Sequence, residues 1–166
     1  MIAATPARTP THLAPMTALL ALAGCGYGFT AGAGRMPPGA ESVQVRPLAN
    51  RTADAGAGAL VAAALRDELA RRGAAGGDGA AARLEGTVLE SAASLTTPDG
   101  STWRLGLAVE ARLVSGERVL AEVRVRCHED YLGEVDALAT EGRRRQALRR
   151  AAEAAAREIV ERLEQP

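Results

Sequence analysis

The clearest pattern in the chain is an alternation of apolar and polar residues over its central part. Two stretches place apolar side chains at every second position and mostly arginine or glutamate between them, a period typical of strands with one buried and one solvated face. The first stretch is Leu105, Leu107, Val109, Ala111 and Leu113, and the second is Val119, Ala121, Val123, Val125 and Cys127. With the segment before them, they predict three consecutive antiparallel strands over residues 83–95, 101–114 and 119–131.

The same pattern predicts the register of the last two strands. Opposed residues share one face of a sheet, so the two apolar sets must meet. A three-residue connection, Gly116-Glu117-Arg118, satisfies this condition. It places Arg112 opposite Glu122 and Glu110 opposite Arg124, which gives two complementary cross-strand pairs.

Helical periodicity lies on both sides of these strands. Residues 54–72 carry one apolar stripe, and residues 136–163 carry a second. The stripes are Leu60, Val61, Ala64, Leu65 and Leu69 in the first helix and Leu138, Leu148, Ala152, Ala155, Ile159 and Leu163 in the second. Before the first helix, residues 42–48 alternate as a further strand, and Asn50 and Thr52 are residue types that cap helix starts.

The predicted order is therefore β-α-β-β-β-α. Two amphipathic helices on one face of about four mostly antiparallel strands form a two-layer α+β sandwich. Hydrophobic residues make up 47% of the chain and aromatic residues only 2%, so we expect a core of Leu, Val and Ala side chains.

Composition narrows the classes of function. Of 166 residues, 20 are basic and 20 are acidic, and every basic residue is arginine, so the formal net charge is zero. A chain without net positive charge is a poor candidate for nucleic-acid binding. Its cysteines and histidines lack the spacing of a metal site, and no metal is expected. They are Cys25, Cys127, His12 and His128.

The first 24 residues have the organisation of a targeting segment. The apolar run over residues 16–23 is too short to cross a bilayer but fits the core of a signal peptide. It ends in Leu22-Ala23-Gly24-Cys25, which resembles a bacterial lipobox. That resemblance implies cleavage before Cys25 and lipidation there, so that several acyl chains hold the protein on a membrane. A cysteine placed by chance behind a short apolar run is the alternative.

Three parts of the chain are therefore expected. They are a signal peptide over residues 1–24, a lipidated N terminus with a flexible tether over 25–41, and one domain over 42–164. The tether is assigned because residues 30–40 are mainly Gly, Ala and Pro, which offer little packing capacity. Gly26, where Asp would resemble an inner-membrane retention signal, implies sorting to the outer membrane, with the domain on its periplasmic side.

Several of these features occur together in one known family. In their order along the chain, they resemble the LptE family of lipopolysaccharide-assembly lipoproteins. The matching segments are CGYGF at the lipid site, PPG in the linker, VQVRPLANRT at the first strand and LRDEL in the first helix. The specific part of the resemblance covers residues 22–73, and the C-terminal half agrees in element order.

The resemblance implies a role without catalysis and without a cofactor. Members of this family sit as a plug in the outer-membrane β-barrel LptD, assist its assembly and bind lipopolysaccharide. A plug must present polar surface to a polar lumen, and lipopolysaccharide carries phosphates that suit arginine forks. The candidate contacts are Arg104, Arg112, Arg124 and Arg126. An exposed sheet face needs charged side chains in any case, so a plain solvated face is the alternative.

Further interpretations follow from individual motifs and residues. VQVRPLANRT also resembles penicillin-binding-protein activators and CsgG-like secretion lipoproteins, so another envelope lipoprotein is the alternative function. An enzyme is not expected, because no serine has nucleophile-elbow context and His128 and Glu129 must point to opposite faces of a strand. Cys127 is expected to be a buried apolar residue. Trp103 either anchors the adjacent turn to the core or touches the barrel.

Overall fold

One mixed sheet and two helices make up residues 35–164, the part of the chain that the computed structural model describes. The elements are β1 (Val43–Val45), β2 (Ala49–Asn50), α1 (Ala57–Arg71), β3 (Ala82–Leu95), β4 (Thr102–Ser115), β5 (Arg118–Leu132) and α2 (Ala137–Glu164). The sheet has the strand order β1-β3-β4-β5, with β2 also paired to β3. The predicted α+β class, with two helices against a mostly antiparallel sheet, is confirmed.

The first predicted strand is split into two short pieces. β1 and β2 both pair with β3, and both run parallel to it. Pro47 lies in the gap between them and has no N–H group to donate to a ladder, which accounts for the break. The parallel pairing follows from α1, because a crossover connection returns the chain to the same end of the sheet.

The predicted register of β4 and β5 is confirmed. Arg112 pairs with Glu122, and Glu110 pairs with Arg124. The apolar sets of the two strands therefore face the helices together, and the charged sets share the opposite face.

The predicted connection between these strands is wrong. Ser115 pairs with Arg118 across a two-residue turn. Gly116 takes a φ of 59° in this turn, a conformation that glycine adopts without steric cost. Leu120 is then an extra residue that restores the register as a β-bulge. As a result Val119 lies on the solvated face and is 47% exposed, although its place in the alternation predicted burial.

The core consists mainly of Leu, Val and Ala side chains, as the composition predicts. Leu65 and Leu69 of α1 are fully buried against the sheet. The helices contribute many alanines to the core, and such small side chains allow close approach of neighbouring elements. The buried alanines of α2 are Ala147, Ala151, Ala152, Ala155 and Ala156.

The assignment of Leu138 to the core stripe of α2 is wrong. Leu138 is 82% exposed, and the first buried residue of the helix is Ala147. The ten residues before it, over a length of about 15 Å, therefore lie outside the core. No helix within residues 35–164 is long and apolar enough to span a membrane.

The N-terminal boundary of the packed domain lies earlier than residue 42. Met36 and Ala40 are buried in the same core as the helices, although both fall in the stretch expected to lack packing capacity. Gly39 between them has a φ of 87°. The chain is therefore packed against the domain from Met36 onward.

A charged cluster ties the C-terminal ends of the two helices together. Glu68 is only 5% exposed, and its carboxylate accepts a hydrogen bond from Arg72 Nε at 2.6 Å and another from Arg71. Arg72 also pairs with Glu164 of α2. Burial alone would raise the pKa of Glu68, but the hydrogen bonds from Arg72 and Arg71 outweigh it and lower that pKa. The carboxylate therefore stays charged inside the fold.

We predict that Arg72→Ala lowers the free energy of unfolding by about 2–3 kcal/mol, because it leaves the two carboxylates of Glu68 and Glu164 without their shared partner. Urea denaturation followed by circular dichroism measures the effect. The control is Arg71→Ala, whose side chain is 62% exposed and should cost less than about 1 kcal/mol. Equal losses in the two variants would contradict the role of Arg72.

Candidate functional site

Within residues 35–164, the sheet packs one face against the two helices and leaves the other face without a helix. We call this second surface, formed by β3, β4 and β5, the helix-free face. The strand register brings its charged side chains into cross-strand rows. They are Arg83, Glu85, Glu90, Arg104, Glu110, Arg112, Glu122, Arg124, Arg126 and Asp130.

All four arginines predicted as contacts lie on this face, and two of them form pairs between β4 and β5. Arg104 makes a two-pronged contact with Asp130, with N–O distances of 2.8 and 2.9 Å. This hydrogen bonding lowers the pKa of Asp130. Arg112 Nε lies 3.0 Å from a carboxylate oxygen of Glu122. Both arginines are therefore already bound to a carboxylate in the free protein.

A third arginine, Arg126, crosses the sheet. It starts on β5 and reaches Glu90 on β3, at an N–O distance of 2.9 Å. The strand between them, β4, carries Ala108 on this face, and Ala108 is only 2% exposed although no helix covers it. The small side chain leaves room for the Arg126–Glu90 bridge, and the bridge in turn shields it from solvent.

Arg124 differs from the other three arginines. It lies opposite Glu110 in the register, yet within residues 35–164 it forms no salt bridge shorter than 4.0 Å. The alternation of the sequence predicts the shared face but cannot rank these arginines. The ranking depends on the β3 register, which a bulge near Leu89 shifts.

The free edge of β5 is shielded by arginines of α2. Arg162 donates to the backbone carbonyl of Arg124 at 2.7 Å. Arg150 binds the Glu129 carboxylate at 2.9 Å and also reaches the backbone carbonyl of Asp130. Occupied carbonyls make an edge strand a poorer template for pairing with another chain.

The Asn-x-Thr turn from Asn50 to Thr52 builds a loop and does not cap α1. The Asn50 side chain accepts hydrogen bonds from Thr52 and donates to the backbone carbonyl of Asp54 at 2.8 Å. Asp54 in turn binds Arg144 of α2 at 2.6 Å and accepts a bond from Ser91. Sequence reasoning missed this junction because the partners lie far apart in the chain.

Nucleophilic and metal chemistry receive no support from the described residues. Burial and the nearby Glu158 raise the pKa of the Cys127 thiol to about 11, so the thiol stays protonated. His128 lies on the helix-free face and Glu129 on the other, as the strand period predicts. Between residues 35 and 164 no group of three or more His, Cys, Asp or Glu side chains is placed to hold a metal ion.

Two further sequence predictions concern Trp103 and the lipobox. The Trp103 ring is stacked on the Tyr131 ring at a centroid distance of 6.4 Å, which supports its role as an anchor of the adjacent turn. Cys25 and the lipobox residues Leu22, Ala23 and Gly24 lie outside the described residues.

Comparison with known proteins gives a family and a set of similar folds. No curated protein sequence matches the chain. A crystal structure described as a lipoprotein of Caulobacter crescentus superposes with a TM-score of 0.60 at 23% identity, over 81% of this chain and 94% of that one. A minor lipoprotein of Acinetobacter baumannii gives a TM-score of 0.53 at 16% identity, over 75% and 91% of the two chains.

A third similar structure is the PelC dodecamer of Paraburkholderia phytofirmans, with a TM-score of 0.53, 17% identity and coverage of 77% of this chain and 90% of that one. At these identities the three likenesses establish the fold alone. The model of the LptE family, described as lipopolysaccharide-assembly, matches residues 40–163. This chain therefore belongs to the LptE lipopolysaccharide-assembly family.

Proposed function

We propose that this chain is a non-catalytic outer-membrane lipoprotein. Acyl chains on Cys25 anchor it, and the domain plugs and helps to assemble an LptD-type β-barrel. It also binds lipopolysaccharide during insertion into the outer leaflet. The observation that carries the proposal is the family match over residues 40–163, which covers all five strands, α1 and all but the last residue of α2 in the described domain.

The helix-free face supports the plug role. It carries five arginines and five carboxylates, most of them paired across strands. A surface of this kind is polar but nearly neutral. It can therefore form polar contacts with the lumen of a barrel in place of water, and no large net charge has to lose its hydration. We therefore assign this face as the part of the domain that contacts the inner wall of the barrel.

A second candidate is another envelope lipoprotein, such as a penicillin-binding-protein activator or a CsgG-like secretion component. The similarity to the PelC dodecamer is the observation that favours this candidate, because a similar fold forms a large oligomer there. The two candidates differ in the partner that each requires. The first requires an outer-membrane barrel, and the second requires a peptidoglycan synthase or further copies of the chain.

The anchor is tested by Cys25→Ala. We predict that this variant loses palmitate labelling and moves from the membrane to the soluble fraction, because its acyl chains supply the membrane affinity. The matched control is Cys127→Ala, which removes the other cysteine and should leave labelling and fractionation unchanged. Labelling that persists in Cys25→Ala would contradict the lipobox.

The partner is tested by affinity purification of the tagged chain from detergent-solubilised outer membrane. We predict that one large β-barrel of the LptD type is recovered in stoichiometric amount, as identified by mass spectrometry. Recovery of a peptidoglycan synthase, or elution as a ring of many copies without a barrel, would favour the second candidate.

Among the four candidate arginines, Arg124 should contribute most to lipopolysaccharide binding. Its guanidinium gains a phosphate contact without giving up a carboxylate, and an exposed contact of this kind is worth up to about 1 kcal/mol. We predict that Arg124→Gln weakens binding of purified lipopolysaccharide about two- to fivefold in a titration. The control, Arg104→Gln, removes the same charge from a guanidinium already bound to Asp130 and should change the affinity less. Equal losses would contradict the ranking.

A further inference from the structure

Exposed large apolar side chains gather at one end of the domain. Four of the five such residues in the described part of the chain lie where β3 and β5 end and where α2 begins. Leu95 and Leu132 are about half exposed, and Val135 and Leu138 lie almost wholly in solvent. We call these four residues the apolar tip. The fifth exposed residue, Val119, lies at the opposite end of the sheet.

Hydrogen bonds from backbone N–H groups to nearby side chains hold the segment between β5 and α2 in place. The Glu134 N–H donates to the Thr140 hydroxyl at 2.8 Å, and the Leu138 N–H donates to the Asp136 carboxylate at 3.0 Å. The Glu134 carboxylate also pairs with Arg143 of α2. The segment between β5 and α2 is therefore ordered before any partner binds, and it keeps its apolar side chains in solvent. A preorganised surface loses little conformational entropy on binding.

The charge around the apolar tip is negative. The loops at this end, residues 95–101 and 132–138, carry three carboxylates and no cation. Glu134 has its arginine partner, whereas Asp99 and Asp136 have none among the described residues. Hydrogen bonds from Thr97 and Ser101 lower the pKa of Asp99 to about 2, so its charge persists. Such a rim repels an anionic lipid surface or a phosphorylated glycolipid and attracts basic groups.

The apolar tip also lies far from the start of the described chain. β1 pairs with the first residues of β3, while the tip includes the last one. The 14 residues of β3 separate the two ends by about 45 Å. The apolar tip therefore lies at the end of the sheet opposite to β1.

We propose that the apolar tip docks on a protein surface that presents apolar side chains ringed by Arg or Lys. This inference rests on the proposed function, in which that surface belongs to the β-barrel partner. The exposed apolar side chains supply the contact area, and the carboxylates Asp99 and Asp136 select the basic rim.

The test compares tip variants in the purification of the full tagged chain from solubilised outer membrane. We predict that the double variant Val135→Ser/Leu138→Ser recovers at least about tenfold less barrel, because it removes two exposed anchor side chains. The matched control is Val119→Ser, which removes an exposed valine at the other end and should recover the wild-type amount. All variants should keep the wild-type melting temperature, because none alters a core residue.

A charge variant tests the basic rim separately. Asp136→Asn keeps a side chain that caps a helix but removes its charge. We predict a recovery of barrel about two- to fivefold below wild type. Unchanged recovery with both Asp136→Asn and the double variant would overturn the assignment of the tip and leave the proposed function intact. If the wild-type chain recovers no barrel, the proposed function fails, and the assignment falls with it.

A lipid alternative is tested with the Cys25→Ala chain. It is mixed with vesicles of equal parts phosphatidylethanolamine and phosphatidylglycerol and floated on a density gradient. We predict that it stays at the bottom with or without the tip substitutions. Flotation that depends on Val135 and Leu138 would overturn the inference in favour of a lipid surface.

Discussion

The fold depends on the register between β4 and β5, because that register decides which side chains are buried. Leu107 meets Cys127 and Val109 meets Val125 on the side of the helices. A slip by one residue would place the charged side chains against the helices and the leucines in water. The core is built mainly from Leu, Val and Ala side chains, so its burial depends on the whole set of paired positions. The charged surface and the packed surface are thus two consequences of one pairing.

The sequence determines this part of the molecule strongly because each strand repeats the same signal several times. The helix-free face, the antiparallel hairpins and the partners of Arg112 and Glu110 all follow from the alternation. The prediction fails where a single residue breaks the period. Leu120 adds a bulge that moves Val119 to the solvated face, and Pro47 divides the first strand. A local irregularity leaves no periodic trace, so it cannot be predicted from spacing alone.

The predictions also fail where a contact joins distant parts of the chain. Asn50 and Thr52 have the chemistry of helix caps, but their side chains organise the loop that presents Asp54 to Arg144. Leu138 fits the helical stripe, but the helix begins before the sheet can cover it. In both cases the local signal is correct, and the tertiary arrangement decides its use. The same reasoning explains why the four arginines could be placed on one face but not ranked.

The ranking of these arginines bears on the proposed function, in which one surface contacts both a barrel and a ligand. An arginine bound to a carboxylate gives up one ionic contact for each that it gains, so an incoming phosphate changes its energy little. Arg104, Arg112 and Arg126 are in this condition, and they keep the face polar without making it a strong anion trap. Under the proposed function, a strong trap would hold lipopolysaccharide, whereas transport requires release. Within residues 35–164 the face has one unpaired arginine among several paired ones, and such a face provides a weak attraction that a ligand can leave, which suits the proposed plug.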